Sequence, residues 1–144
     1  MKHKGSICDF LEERNSDLFD AYRTLLESVQ FIDRTEISTR LVNMPSRRFW
    51  VSEERAAIVI SAMMHKRDVP HLTPTKKEMF DEIYKRALVV MKENPHLSIY
   101  EVARIVVNQP APKFYITPGS AKVIIYYKKK AWYEKRKKQL RHLF

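Results

Sequence analysis

The sequence is poor in the residues that build disulfide frameworks, phosphate loops and membrane spans. It has 144 residues but only one cysteine, Cys8, and two glycines. A single cysteine excludes an internal disulfide and fits a reducing cytoplasm. So few glycines argue against a glycine-rich phosphate loop and a turn-rich all-β fold. The apolar runs are short and broken by charges, which predicts no membrane span. Residues 1–10 have no apolar stretch, which predicts no export.

The positive charge is concentrated in the second half of the chain. Residues 1–72 contain 11 Lys+Arg and 11 Asp+Glu, whereas residues 73–144 contain 16 and 6. Residues 128–144 alone hold eight Lys+Arg against one acid, Glu134. This asymmetry favours a polyanionic partner, most often nucleic acid. The alternatives are a solvated tail that only keeps the protein soluble, another acidic partner, or an anionic membrane surface.

The sequence also matches itself at an offset of 65 residues. Residues 36–60 read EISTRLVNMPSRRFWVSEERAAIVI and residues 101–125 read EVARIVVNQPAPKFYITPGSAKVII, aligned without a gap. Seven positions are identical: Glu36/Glu101, Val42/Val107, Asn43/Asn108, Pro45/Pro110, Phe49/Phe114, Ala56/Ala121 and Ile60/Ile125. A repeat of this length predicts two copies of one supersecondary unit. Chance similarity is the alternative.

Helical periodicity and capping signals predict the same element order in both copies: a helix, a short capped helix, a long connection and a further helix. The predicted capping boxes are Asp33/Glu36 and Ser98/Glu101, and the other predicted N-caps are Ser52, Thr73 and Thr117. The predicted fold is therefore all-α, with two trihelical repeats and a long basic C-terminal helix. The predicted domains are residues 1–64 (first repeat), 65–73 (linker), 74–127 (second repeat) and 128–144 (basic C-terminal helical extension).

Two three-helix units with capped second and third helices resemble the helix-turn-helix family of DNA-binding domains, twice over, across residues 17–64 and 82–130. In that family the third helix enters the major groove with its first turns. By position, the resemblance implies DNA contacts by Glu53, Glu54, Arg55, Ala57, Gly119, Ser120 and Lys122. The connections at 43–51 and 108–116 depart from the family's turn of three or four residues.

The stretch PSRRFWVSEERAAIVI (45–60) is similar to uncharacterised small proteins of phages and mobile elements from Bacteroidetes. The resemblance implies a bacterial or phage setting, in the cytoplasm or in a virion. It implies no activity.

Basic residues precede aromatic ones in both copies, in Arg47-Arg48-Phe49-Trp50 and in Lys113-Phe114-Tyr115. Such a pattern can combine phosphate contacts with base stacking. The alternative is that the rings are core plugs ahead of a helix cap, which we expect for Phe49 and Phe114, whereas Trp50 and Tyr115 stay open. We expect Arg47, Arg48 and Lys113 to be exposed in either case.

The C-terminal stretch has Ile124, Tyr127 and Ala131 at helical spacing, followed by Lys and Arg on almost every side. A basic helix of this kind can follow a phosphate backbone, lie on an anionic membrane or be captured by a partner. Leu140, Leu143 and Phe144 could dock on the body or on another subunit. The residues predicted to bind nucleic acid are Arg47, Arg48, Arg55, Lys113, Lys122, Lys128, Lys129, Lys130, Lys135, Arg136, Lys137 and Lys138.

The sequence gives little support for catalysis. The five histidines show no ligand spacing with one another or with Cys8. We therefore expect no metal, no cofactor and no enzymatic activity. The sequence predicts a DNA-binding accessory or regulatory protein. The alternative is a helical interaction or virion-structural protein whose basic tail contacts nucleic acid or an acidic partner.

Overall fold

The computed structural model describes residues 5–28, 33–69 and 72–143, without the side chains of residues 5–9, 34 and 35. The described residues form six helices and no strand, so the protein is all-α as predicted. The helices are α1 (Gly5–Ser28), α2 (Arg34–Val42), α3 (Glu53–Met64), α4 (Pro74–Glu93), α5 (Ile99–Val107) and α6 (Pro118–Leu143).

Local capping chemistry sets where several helices begin. The side-chain oxygens of Ser52 and Thr73 accept hydrogen bonds from the first turns of α3 and α4, and Pro74 takes the first position of α4. Ser98 and Glu101 form both bonds of a capping box at α5. These caps are confirmed. The side chain of Asn94 lies at the other end of α4, where Pro95 prevents the helix from continuing.

The helices pack in two groups that do not follow their order in the chain. Helix α3 packs against α4 and α5, and we call these three helices the first packing group. Helix α6 packs against α1 and α2, which form the second packing group. Each group therefore takes its third helix from the other predicted repeat. The predicted units 1–64 and 74–127 are interlaced rather than packed side by side.

The connection from α2 to α3 and the connection from α5 to α6 lie side by side and are hydrogen-bonded to each other. Ser46 and Ala111 each donate a backbone N–H to the carbonyl oxygen of the other, at 3.0 Å. Phe49 N–H bonds to the Val107 oxygen, and Phe114 N–H bonds to the Val42 oxygen, both at 3.0 Å. Ser46 and Ala111 are 65 residues apart, and the same offset relates the two donors, Phe49 and Phe114, and the two acceptors, Val42 and Val107. The connections thus satisfy backbone groups that would otherwise be buried without partners.

Alternation along the connections divides their side chains between two cores. Phe49 and Val51 join the core of the first packing group, whereas Trp50 packs on that of the second. In the other connection the assignment is reversed: Phe114 and Ile116 belong to the second group and Tyr115 to the first. Successive side chains of an extended segment point in opposite directions. Each connection therefore joins the two cores.

Candidate nucleic-acid interface

Helix α6 buries side chains against the body only in its first turns. The Thr117 hydroxyl accepts the Ser120 N–H at 3.2 Å, and Pro118 begins the helix, so the predicted N-cap is confirmed. Ala121 and Ile125 are its buried residues and pack on α1 and α2. From Lys129 to Leu143 every residue is exposed. The helix has 26 residues, which is a length of about 39 Å.

The exposed part of α6 carries a dense positive charge. Within Pro118–Leu143 there are nine Lys+Arg and one acid, Glu134. Like charges three or four residues apart on a helix repel each other. Among the described residues, six basic side chains of α6 have no hydrogen bond, ion pair or ring contact: Lys122, Lys130, Lys135, Lys137, Lys138 and Arg141. Their charge is available to an anion.

The remaining basic residues of α6 have contacts of their own. Lys128 is half-buried and pairs with Glu12 at 3.3 Å, and its ammonium also lies 3.5 Å from the Ser16 hydroxyl. Lys129 sits 4.9 Å from the Tyr22 ring centre. Arg136 lies 5.3 Å from the ring of Trp132. Lys128 is therefore partly neutralised by α1, while the other two keep their charge on the surface.

Arg47 is exposed as expected, but acids of α1 surround it. Its guanidinium lies 3.4 Å from Asp17 and 2.9 Å from Asp20. Its backbone N–H also donates to the buried Asp17 carboxylate at 2.9 Å. A phosphate at Arg47 would have to compete with two carboxylates for the same donors.

Arg48 has a structural environment, and the expectation that it is exposed is wrong. Its half-buried guanidinium donates to the carbonyl oxygens of Phe49 (3.0 Å) and Val51 (2.9 Å). It lies 4.4 Å from the centre of the Phe10 ring. Burial lowers the pKa of Arg48, opposed by the charges of Glu53 and Glu13. The irregular connection leaves carbonyls without helical partners, and Arg48 satisfies them.

Lys113 is also half-buried rather than exposed. Its ammonium forms an ion pair with Glu78 of α4 and lies 5.7 Å from the Tyr115 ring centre. This side chain closes the edge of the first packing group. Arg47, Arg48 and Lys113 therefore do not combine with α6 into one free basic surface.

The rings beside these residues are mostly in the cores. Phe49 and Phe114 are buried, which confirms the core-plug interpretation. Tyr115 is buried too; its φ of 57° lies in the left-handed region, where non-glycine residues are uncommon. Burial raises the pKa of Tyr115 to about 12. Trp50 is half-buried, and within the described residues its buried Nε1 has no hydrogen-bond partner. Buried rings are not available for base stacking.

The start of α3 is unfavourable for a phosphate. Arg55 is exposed, but Glu53 and Glu54 precede it in the first turn. Glu53 accepts a hydrogen bond from the Tyr100 hydroxyl of α5 at 3.0 Å, and this contact raises the pKa of Tyr100. Because α3 packs on α4 and α5, it also departs from the helix-turn-helix arrangement, in which the consecutive second and third helices pack together.

A groove lies between α6 and the pair α1 and α2, and the sequence interpretation missed it. Its larger part is a cavity of about 430 Å³, and a second part of about 170 Å³ adjoins it. Both parts are lined by Tyr22, Leu26 and Lys129. Tyr126, not Tyr127, lines the groove. Of the helically spaced residues Ile124, Tyr127 and Ala131, only Ile124 packs on a core, since Tyr127 is 62% exposed and Ala131 is also exposed.

Other kinds of site find no support in the described ranges. Residues 5–28, 33–69 and 72–143 contain no group of three His, Cys, Asp or Glu side chains placed to hold a metal ion. The side chains of Cys8, His3 and His71 lie outside the described residues. None of the described helices combines the length and apolar character needed to cross a membrane. The chain matches no protein-family model, no curated protein and no solved structure.

Proposed function

We propose that the protein binds nucleic acid, with DNA as the expected polymer, and acts as an accessory or regulatory factor without enzymatic activity. The observation that carries the proposal is the exposed basic length of α6. From Lys129 to Leu143 every residue is exposed, and seven of these residues are Lys or Arg. Bound phosphates would reduce the repulsion between neighbouring lysines of this helix, and binding would release counterions.

We assign the affinity for nucleic acid to α6, and few residues are placed to recognise particular bases. Phosphate contacts fix position but carry no sequence information. Arg55 lies beside two acids on α3, so it is a poor phosphate ligand. Lys122 lies in the first turns of α6 and is exposed. It is the basic residue through which a third helix could still contact base edges. The protein is therefore proposed to bind many sequences with similar affinity.

We further propose that the chain is an internal duplication of a trihelical unit whose third helices are exchanged. The hydrogen bonds Phe49–Val107 and Phe114–Val42 support this, because the same bond recurs after exchange of the two copies. The Asn43 and Asn108 side chains also donate equivalently, each to the carbonyl oxygen four residues earlier, at 2.8 Å. The recurrence of both kinds of bond at one offset supports duplication rather than chance similarity.

A salt titration of the full chain tests the nucleic-acid proposal. Binding to a labelled DNA duplex should weaken linearly on a log–log salt plot, with a slope of about −0.9 per phosphate contact. The variant carrying Lys130→Gln, Lys135→Gln and Lys137→Gln should flatten the slope by as much as about 2.7. Its matched control carries Lys76→Gln, Lys85→Gln and Lys92→Gln on α4, three lysines that are also exposed. The net charge changes equally in both variants.

Two results would contradict the proposal. If the full chain binds no DNA or RNA at low salt, α6 is a surface for another partner. If both triple variants change the slope equally, the effect comes from net charge and not from α6.

The alternative, an interaction or virion-structural protein, is favoured by one observation. Tyr127, Leu140 and Leu143 are exposed on α6 and can contact a protein. Under this alternative a chain ending at Tyr127 loses all binding to nucleic acid or to an acidic partner. Under the DNA-binding proposal the shortened chain keeps weak binding through Lys122 and the body.

A further inference from the structure

Basic and aromatic side chains alternate along one side of α6. Lys122, Tyr126, Lys129 and Tyr133 follow each other at spacings of four, three and four residues. At 100° per residue, these positions fall within an arc of about 60°. They extend about 16 Å along the helix axis. This side of the helix forms one wall of the groove described above.

The opposite wall is apolar and aromatic. Helix α1 contributes Phe19, Tyr22 and Leu26, and α2 contributes Ile37 and Leu41. Trp132, 43% exposed, borders the smaller part of the groove next to Arg23. Three exposed rings are thus placed along a groove of two adjoining parts: Tyr126, Trp132 and Tyr133. The ring of Tyr22 is buried at the base of the groove.

The charge of the groove selects the kind of ligand. Its described lining residues include three cations, Arg23, Lys122 and Lys129, and no carboxylate. Lys129 is already placed over Tyr22 at 4.9 Å, so a cation and a ring meet at the centre of the groove. A fitting ligand has anionic groups at regular spacing and flat apolar groups between them.

We propose that this groove binds single-stranded nucleic acid, with bases stacked on its rings and phosphates at its lysines. The inference rests on the proposed nucleic-acid function and specifies its substrate. Only a single strand presents base faces, because a duplex hides them in its own stack. Stacking on aromatic side chains accepts every base, since each has a π-face. The groove thus adds affinity for unpaired strands to the charge of α6.

The test compares a labelled oligo-dT of about 16 nucleotides with a duplex of the same length. The variant Tyr126→Leu, Tyr133→Leu keeps apolar bulk but removes two stacking rings. We expect its affinity for oligo-dT to fall by about fivefold or more per ring, with duplex affinity unchanged. Tyr127→Leu is the matched control, because Tyr127 neighbours Tyr126 in sequence and is exposed, but does not line the groove.

Tryptophan emission gives a second readout that does not depend on these variants. Oligo-dT should quench the emission of the native chain, and the Trp132→Phe chain should lose most of this quenching. The other tryptophan, Trp50, is half-buried in the second packing group and serves as an internal reference. Circular dichroism of each variant checks that the helices are retained.

The outcomes separate the groove from the general proposal. If oligo-dT and duplex bind equally and the double variant behaves like Tyr127→Leu, the groove proposal is overturned, while salt-dependent binding by α6 stands. If neither nucleic acid binds at low salt, both proposals are overturned. If a poly-glutamate peptide or phosphatidylglycerol vesicles displace oligo-dT and need the same two rings, the occupant of the groove is not nucleic acid.

Discussion

Helices α3 and α6 follow matching connections, but they end in different surroundings. Helix α3 ends at Met64 and buries Ala56, Val59 and Ile60 against α4 and α5. Helix α6 continues to Leu143, although only Ala121 and Ile125 are buried. The position that corresponds to Met64 at the 65-residue offset is Lys129. Two helices with similar first turns can therefore differ in role, one completing a core and the other carrying an exposed surface.

The two packing groups differ in the same way. In the first group Met79, Phe80 and Ile83 of α4 fill the space beneath α3 and α5. A cavity of about 350 Å³ at the edge of this group is lined by charges of both signs, including Arg67, Asp68 and Asp81. In the second group a cavity of about 430 Å³ beside α6 is lined by apolar, aromatic and basic side chains, without a carboxylate among its described lining residues. A filled core stabilises the fold, whereas an open groove leaves apolar and aromatic side chains accessible. We therefore expect stability to depend more on the first group and binding more on the second.

The largest expected effect is the loss of a core ring. Phe49→Ala and Phe114→Ala should each lower the free energy of unfolding by about 3–5 kcal/mol, since both rings are buried. Phe49→Ala should cost more, because its densely packed surroundings have less room to relax. Urea denaturation of both variants measures the difference. Losses below about 1 kcal/mol would mean that the rings are not core residues, and a larger loss for Phe114→Ala would reverse the comparison.

A smaller effect separates the corresponding cations Arg48 and Lys113. Arg48→Met removes the guanidinium donor from the carbonyl oxygens of Phe49 and Val51, and among the described residues only that of Phe49 keeps another donor, the Val51 N–H. The expected cost is about 1.5–3 kcal/mol. Lys113→Met removes one partly exposed ion pair with Glu78, at a cost below about 1 kcal/mol. Thermal unfolding of the two variants ranks them. Equal losses would contradict the structural role given to Arg48.

Removal of a helix N-cap should lower the free energy of unfolding by less than the loss of Arg48. The decrease should be similar in the two packing groups. Ser98→Ala at α5 and Thr117→Ala at α6 each remove a side-chain acceptor for a backbone N–H. The expected loss is about 1 kcal/mol in each case. Lys76→Ala serves as a control in the first turn of α4, because its side chain is exposed and makes no hydrogen bond to the described residues while the N-cap residue Thr73 stays in place. If Thr117→Ala were silent, the packing of Ala121 and Ile125 alone would fix the start of α6.

The smallest expected free energy is that of local opening in the exposed part of α6. Backbone amides of residues 130–143 should exchange with an opening free energy close to zero, because no side chain there is buried. Amides of α5 should exchange much more slowly, since Val102, Ala103, Val106 and Val107 are buried. Saturating oligo-dT should slow exchange in 130–143 and leave α5 unchanged. Strong protection of 130–143 without a ligand would contradict the description of α6 as a free helix.

Local features of this protein were predictable from sequence, and long-range ones were not. The capping residues Ser52, Thr73 and Ser98 identify helix starts because their hydrogen bonds span only three residues. The packing of α6 on α1 involves contacts such as Lys128–Glu12, whose partners are 116 residues apart. No local pattern encodes that choice.

The candidate site shows the same limit. The basic residues of α6 could be identified by composition, but their surroundings could not. Arg48 is half-buried because two irregular carbonyls need its donors, which sequence spacing does not reveal. Tyr126 rather than Tyr127 faces the groove because α1 sets the rotation of α6. The alternation of Lys122, Tyr126, Lys129 and Tyr133 was the available signal, and only knowledge of the opposite wall gives it meaning.

The packing of α6 on α1 and α2 also delays part of the fold during synthesis. Helices α3, α4 and α5 can pack once α5 has been synthesised, with Tyr115 joining their core slightly later, whereas Leu18 and Leu41 must wait for Phe114 and the start of α6. Phe114 follows Val42 by 72 residues, which takes roughly 4–14 s at ribosomal speed. During that interval the apolar sides of α1 and α2 lack their partner helix. The apolar residues of these two helices are therefore exposed to other molecules until α6 has been synthesised.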